Sequence, residues 1–567
     1  SPTIESFWYG AQYISATMSA SGIVEEKNGG LVPPSGLYGP WVTSINPSWH
    51  GDYTLDYNQE AQYYGFYNSN HEEHAEAYFA SIEDWMGAAK LNAQQHAQKS
   101  NITCPNNALH FSCHLAPWGY QSLDTSTYMH WNGNFAALLF INKWEYTRNK
   151  TWAKAHAYPL LDGINAWWSC YLVKDIVTGV YHDFRSTDPD NEHENQAVAD
   201  PQIGLALILR CLTAQLEMAA ALEITPPDYL QDLISHFPIW NTGIPSDKPH
   251  PPPAPPSPPS PPVDCTKTGT FTAQPGVRCV GDHGETHVKT VQCCQAWCEA
   301  DASCDTFSFC NDNKCNAGGG QGSCWKYPKD SKCSSNQYFT SGTKIVVSGG
   351  AFKPVWTSFA NASVQASDAF ALYPLWPSEL VGRDEQSSAT IDIARSSFAQ
   401  YYGHGIGTRP VLVYPAAVRA GTCDDTATTN TTNTSCQTSD AIVLEIEAWL
   451  HSQQLPSFMP EASGGGTENI GVSVAINDML VQAPNAKYIE FFPVWPRTQD
   501  ASFTKLLTKG GFEVSSNLKA GVITNVSLTS RTDTTAVVKN PFASVTVVHV
   551  ICAGASLNVA WTPDFAM

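Results

Sequence analysis

Residues 249–262 read PHPPPAPPSPPSPP, and no helix or central strand can cross them. Each proline fixes φ and lacks the N–H that a helix or ladder needs, so the run favours the extended polyproline II form and acts as a semi-rigid spacer. The chain is therefore read in pieces: a first helical part at 1–245, a linker at 246–263, a small cysteine-dense module at 264–345, a return to helix at 346–484 and a β-rich end at 485–567.

In the first part, apolar spacing predicts helices over about 6–20, where Phe7, Tyr9, Tyr13, Ile14 and Met18 set the pattern, then from near residue 58, and over 72–97, 127–148, 152–173 and 201–222. Helical spacing returns at 389–401, 439–452 and 470–481. From residue 488 the pattern changes to alternation, in YIEFFPVW, GFEVSSNL, GVITNVSLTS, TAVVKN and SVTVVHVIC, the period of strands. Long helices joined by long loops, with little alternation before that point, suggest an all-α toroid or solenoid carrying a terminal β-domain.

The charge balance excludes some partners. Lys and Arg number 31 against 52 Asp and Glu, a net charge of -21, whereas nucleic acid and anionic membranes call for a basic footprint. No uninterrupted apolar run reaches membrane-spanning length, so no membrane span is expected. The chain opens at Ser1 without a leader, which fits removal of a signal peptide or of a preceding domain. Of 17 cysteines, ten fall between Cys265 and Cys333. With six Asn-x-Ser/Thr sequons, at Asn101, Asn149, Asn361, Asn430, Asn433 and Asn525, they point to a secreted, cell-surface or extracellular-matrix glycoprotein. Cys104 with Cys113, and Cys423 with Cys436, look like local staples; Cys170, Cys211 and Cys552 show no obvious partner.

The densest chemistry lies in residues 49–71, WHGDYTLDYNQEAQYYGFYNSNH. Flat rings that stack on sugar faces alternate there with oxygens and amides that bind hydroxyls and move protons. The competing reading is an aromatic core turn whose polar groups are satisfied locally. His71 and His74, at i and i+3, could look like metal ligands, but without a third ligand nearby neither a metal nor a cofactor is expected. Phosphate-binding, dinucleotide-binding, GxSxG and HExxH motifs are absent from the sequence.

Two resemblances sharpen this reading. The cysteine module, with QPGVRC, VQCCQAWCEADASCDTFSFC and GSCWKY, resembles PAN/apple domains; that implies a two-cysteine helix stapled to a small sheet, and a matrix or cell-surface glycoprotein as partner. The proline run resembles the hydroxyproline-rich spacers of algal and plant wall glycoproteins. Most of the remainder resembles the catalytic module of glycoside hydrolase family 95, the α-L-fucosidases and α-L-galactosidases. That resemblance rests on FWYGAQYISATMSAS, NPSWHGDYTLDYN, TRNKTWAKAHAYPLLDGINAWW, STDPDNEHENQ and GGGTENIGVSVAINDMLVQAPNAKYIEFFPVWP with GGFEV, in that order.

It implies an (α/α)6 barrel followed by a β-domain, and an inverting mechanism on an oligo- or polysaccharide. The family's water-holding asparagines fall on Asp56 and Asn58, so the first is a carboxylate here. Its general acid falls in the loop 186–195, on Asp190 by strict alignment, or on Glu192 or Glu194 after a small shift; Glu194 is preferred because EHEN sets a carboxylate beside an amide and a ring. Its aspartate falls one place from Glu468, on a glycine-rich loop, next to Asn469, for which helix capping is the plain alternative. Trp49, Asp52, Tyr53, His130, Trp131 and Asn132 are candidate substrate contacts, with Trp131 also readable as core. The fold expectation is thus mainly α: an (α/α)6 toroid with a C-terminal β-domain and a disulfide-rich α+β insert. Two functions follow, a secreted inverting glycosidase or an inactive carbohydrate-binding glycoprotein on the same barrel, and Asp56 separates them.

Overall fold

The computed structural model of the 567-residue chain describes residues 1–19, 33–40, 45–117, 119–121, 128–187, 199–238, 369–383, 388–402, 410–421, 438–453, 467–539, 546–551 and 553–559, with six short strands between 270 and 335. The described part is mostly helical. Helix Pro2–Met18 opens on proline, where no intrahelical N–H is required, and buries Ile4, Phe7, Ala11, Ile14 and Met18 at the three-and-four spacing of one face. Tyr9 and Tyr13, grouped with that face from sequence, are 62% and 68% exposed. Residues two and six positions from Phe7 point elsewhere around the helix. Phe7 meets Trp449 of helix Ser439–Gln453 edge-on at 5.7 Å, and Trp8 Nε1 donates to Asn477 Oδ1 of helix Ser473–Leu480 at 2.8 Å. The first helix is thus packed on elements near the end of the helical sequence.

Helix Glu76–Ser100 buries Tyr78, Phe79, Ile82, Trp85, Ala89, Ala93 and Ala97, the stripe the periodicity foretold. Asn132–Thr147 is buried at every position from Asn132 to Tyr146, which makes it an interior helix. The helix expected over 152–173 runs as Lys150–Trp152, a π turn Ala153–Ala157 and Tyr158–Tyr171. Pro159 has no N–H to return to the preceding turn, and the wider turn falls directly before it. Gln202–Leu222 has a mean hydropathy of 1.6 over its most apolar window and, among the described residues, is the one helix apolar and long enough to cross a membrane. Arg210 and Gln215 break its apolar run, and 72% of the window is buried inside the fold. Helices Asp228–Ser235 and Pro410–Ala420 were not foreseen, the second because Pro415 lies inside it.

The alternating segments form a four-stranded antiparallel sheet of Ala501–Thr508, Phe512–Lys519, Val522–Ser530 and Ser556–Val559. Phe512, Val514, Ser516 and Leu518 point inward in turn. Thr534–Lys539 and Thr546–Ile551 form a second sheet, whose edge is extended by Thr270–Ala273 of the cysteine-dense segment. The helix and disulfides expected within that segment, and the proline run, lie outside the described residues.

The local staple expected between Cys104 and Cys113 is not formed. Cys104 is bonded to Cys170, 66 residues away, and Cys113 is a buried reduced thiol, as is Cys211. The cause is strand His114–Ala116, which pairs with Tyr53–Thr54 and draws Cys113 inward, where its carbonyl accepts from Leu55 N at 2.8 Å. Cys423, Cys436 and Cys552 lie outside the described residues.

Helices and sheet are joined by a buried ionic chain. Arg210 Nη2 meets Glu145 Oε1 at 2.8 Å, and Lys509 Nζ meets Glu145 Oε2 at 2.7 Å and Glu379 Oε2 at 2.5 Å. Arg419 then meets Glu379 at 2.5 Å and Asp478 at 2.7 Å. Lys509, 4% exposed, reaches this chain from the turn before Gly510 and Gly511, whose φ values of 93° and 83° suit only glycine comfortably. Burial acts to raise the Glu145 and Glu379 carboxyls, and the neighbouring cations override it and hold both ionised. Asp478 is raised to about 6, by burial first, with Arg419 opposing. Lys509→Met leaves two carboxylates short of a cation and is expected to cost about 3–5 kcal/mol, read as a lower urea midpoint at constant m. The double change Cys104→Ala with Cys170→Ala is expected to cost about 2–4 kcal/mol through the freed denatured chain, in the same measurement.

Candidate functional site

Residues 48–62 fold as tight turns rather than as one helix. Trp49 and His50 take left-handed angles (φ 50° and 58°), and a four-residue helix starts at Asn58, Asn58–Ala61. Between Asp56 and Asn58, Tyr57 holds φ 119°. That conformation costs a non-glycine residue about 1–3 kcal/mol and persists only where the surroundings impose it. Tyr57 is 5% exposed, and its hydroxyl points to Glu468 Oε1 at 3.5 Å.

Glu468 begins the short turn Glu468–Val472, which is seated directly on Asn58–Ala61. A Cβ at Gly471 would stand 2.1 Å from the Ala61 carbonyl oxygen, so only glycine permits this approach. A relay of hydrogen bonds fixes the contact. Thr467 N donates to Leu37 O at 2.7 Å and its hydroxyl to Gln62 Oε1 at 2.7 Å; Gln62 donates to Gln59 Oε1 at 3.0 Å, and Gln59 to Ser35 O at 3.0 Å. The result brings two sequence candidates together: the Asn58 carboxamide donates to Glu468 Oε2. Two donors therefore serve a carboxyl group that is 4% exposed. Asn469 is not a helix cap; it is the second residue of the turn, 6% exposed, and its Oδ1 has no hydrogen-bond partner among the described residues.

The other candidates are placed differently. Asp52 accepts from the Thr54 hydroxyl at 2.7 Å and meets His114 Nδ1 at 3.1 Å, while Tyr53, 3% exposed, donates to Pro34 O at 2.7 Å. Both serve the local turn, and burial raises the Tyr53 phenol. Trp49 is 49% exposed. His130, Trp131 and Asn132 are all buried. His130 Nδ1 meets His110 Nε2 at 2.8 Å beside His96, Trp167 and Tyr171, and burial, with His96 and Arg185, lowers its pKa to about 3. Trp131 Nε1 donates to Thr187 O at 2.8 Å, so it anchors one stem of the loop 188–198. The other stem is tied by Asp200, which accepts from Asp183 N at 2.8 Å and meets His182 Nδ1 at 2.7 Å. Glu192 and Glu194 lie outside the described residues, as do Asn361, Asn430 and Asn433. Asn101, Asn149 and Asn525 are exposed.

Residues 25–237 match the family model described as Glycosyl hydrolase family 95 catalytic domain. The match includes the 49–58 turns and the 188–198 loop and ends before Glu468; it supports a glycoside-hydrolase module. A search of curated proteins gave no match. Among solved structures, one described as a kojibiose phosphorylase from human microbiome aligns over 91% of this chain at 8% identity and a TM-score of 0.44. The chain spans 61% of that structure's length.

Sequence reasoning counted Glu60 among the polar groups of residues 49–71 but gave it no role of its own. It is fully buried; the Tyr78 hydroxyl donates to Oε1 at 3.2 Å, and Oε2 has no hydrogen-bond partner among the described residues. Burial raises its pKa to about 8, with the charge of Asp56 adding to the effect. A carboxyl raised on folding stabilises fully below its ordinary value of 4.5, and that contribution is lost as pH rises through about 8. Glu60→Gln should remove this slope, so the difference in Tm between variant and parent should shift in the variant's favour from pH 5 to pH 8. A constant difference across that window would mean that Glu60 is not raised.

Proposed function

We propose that the chain is a secreted inverting glycoside hydrolase of the α-L-fucosidase or α-L-galactosidase type, acting on extracellular or cell-wall glycans. The observation that carries this reading is the Asn58–Glu468 contact, which joins the matched 25–237 segment to a carboxylate far along the chain. In this mechanism Glu468, or Asp56 two residues before Asn58, takes a proton from water as the water attacks the anomeric carbon, and Asn58 orients that water. Glu194, or Glu192, protonates the leaving oxygen from the opposite side. Inversion requires about 6.5–9.5 Å between the two carboxyls. The described helices belong in this reading to an (α/α)6 toroid with a C-terminal β-domain, and the 264–345 segment to a PAN/apple-like tether to a matrix or cell-surface glycoprotein. The Cys104–Cys170 disulfide favours an oxidising compartment.

One observation favours the second reading, an inactive carbohydrate-binding glycoprotein: Asp56 stands where the resembling family holds an asparagine. A donor amide and an acceptor-only carboxylate do not hold a neutral water alike. Release of fucose or galactose from p-nitrophenyl α-L-glycosides, with the configuration of the first-formed sugar followed by NMR, distinguishes the two. The enzyme reading expects the inverted anomer and a fall in kcat of about 10²- to 10⁴-fold in Glu468→Gln. Folded protein that binds glycans yet turns none over sinks it in favour of the second.

A further inference from the structure

The turn Glu72–Ala75 assembles a group that linear spacing hides. His71 stands at its start, and the turn swings Glu73 between the two imidazoles, so that one donor atom each of His71, Glu73 and His74 lie within 4.8 Å of one another. Glu73 Oε1 is 3.1 Å from His71 Nδ1 and 3.9 Å from His74 Nε2. Ligands about 2.0–2.1 Å from a tetrahedral ion stand roughly 3.3 Å apart, so the triangle is already close to that size.

A contact with Ser19 occupies one nitrogen of His74. The Ser19 hydroxyl stands 2.9 Å from His74 Nδ1 and 3.1 Å from Ala16 O. With Nδ1 engaged there, Nε2 is the nitrogen on the side of Glu73. Glu73 Oε1 and His74 Nε2 face each other at 3.9 Å, longer than a hydrogen bond, and a cation between them would bind both. The ring is held from behind by Phe66, edge-on at 5.7 Å, and lies against His71 at 5.5 Å with planes 18° apart. A histidine whose second nitrogen is tied to an oriented partner is the usual support of a metal ligand. Glu72 is turned away to Arg531 at 2.9 Å and takes no part.

We propose that His71, Glu73 and His74 form a binding site for a divalent transition-metal ion of the zinc class, with water completing the coordination. Two imidazoles and one carboxylate suit such an ion rather than calcium or magnesium, which prefer oxygen. The ion would link the end of helix Pro2–Met18, through Ser19, to the start of helix Glu76–Ser100, outside the Asn58–Glu468 site.

The test uses the full chain, stripped with chelator and titrated with zinc chloride against a chromogenic competitor, and with cobalt chloride for its visible spectrum. One site is expected, with a zinc-dependent rise in Tm and a cobalt spectrum of nitrogen and oxygen coordination. His71→Ala and Glu73→Gln, both at exposed side chains, should abolish that site and that spectrum with the fold intact. Ser19→Ala should weaken binding about tenfold or more by releasing the His74 ring. Absence of zinc binding by the parent chain, or binding with unchanged stoichiometry and affinity in both ligand variants, overturns the proposal; the second result would place the ion on other groups such as the cysteines.

Discussion

The candidate site exists only because the turn Glu468–Val472 is seated on Asn58–Ala61. Neither segment is a stable unit alone: one is a four-residue helix behind a strained Tyr57, the other a single short turn. Their contact requires a glycine at 471 and the side-chain relay from Thr467 through Gln62 and Gln59 to Ser35. Buried amide and hydroxyl groups gain most when every partner is supplied, and here the partners come from three distant parts of the sequence. A carboxylate at 468 on a free loop would be solvated and indifferent. Seated in this way, it is desolvated and held by Asn58 and Tyr57.

The buried ionic chain serves the same junction from the other side. Asp478 lies in the helix that follows the Glu468 turn, and Arg419 ties it to Glu379 and, through Lys509, to the sheet. Three cations and three anions alternate, so no charge is left without an opposite neighbour. Buried ion pairs of this kind add little net stability over apolar packing, but removing one member leaves a charge stranded. The arrangement therefore penalises any docking of the sheet in which Lys509 does not enter the helical interior, and indirectly fixes where the Glu468 turn can sit.

Much of this was legible in the sequence, and the parts that were not share a cause. Helix 76–100 announced itself by period, and the strands from 501 onward by alternation, because burial of one face writes itself into residue order; helices 132–147 and 202–222 are buried nearly all round and were found by their apolar content as much as by period. Asn58 and Glu468 were picked out by type and by resemblance. Pairings across space leave no such trace. Cys104 sits nine residues from Cys113 yet bonds Cys170; Glu60 reads as an ordinary polar helix residue until its burial beneath Tyr78 is seen; Glu73 becomes a neighbour of both histidines only through the turn it helps to form. Tyr9 and Tyr13 show the converse error, aromatic type being taken for burial where position on the helix decided otherwise.

Asp56 and Glu60 are best considered together. Folding raises the Glu60 carboxyl to about 8, and Asp56 contributes to that rise. At neutral pH the pair therefore carries closer to one negative charge than two, with Glu60 protonated and its hydroxyl available to donate. Tyr57, at φ 119°, stands between the two in the chain, and Glu60 is turned into the interior, where Tyr78 donates to it. The coupling of the two carboxyls is therefore electrostatic, and the proton it favours sits on the buried member.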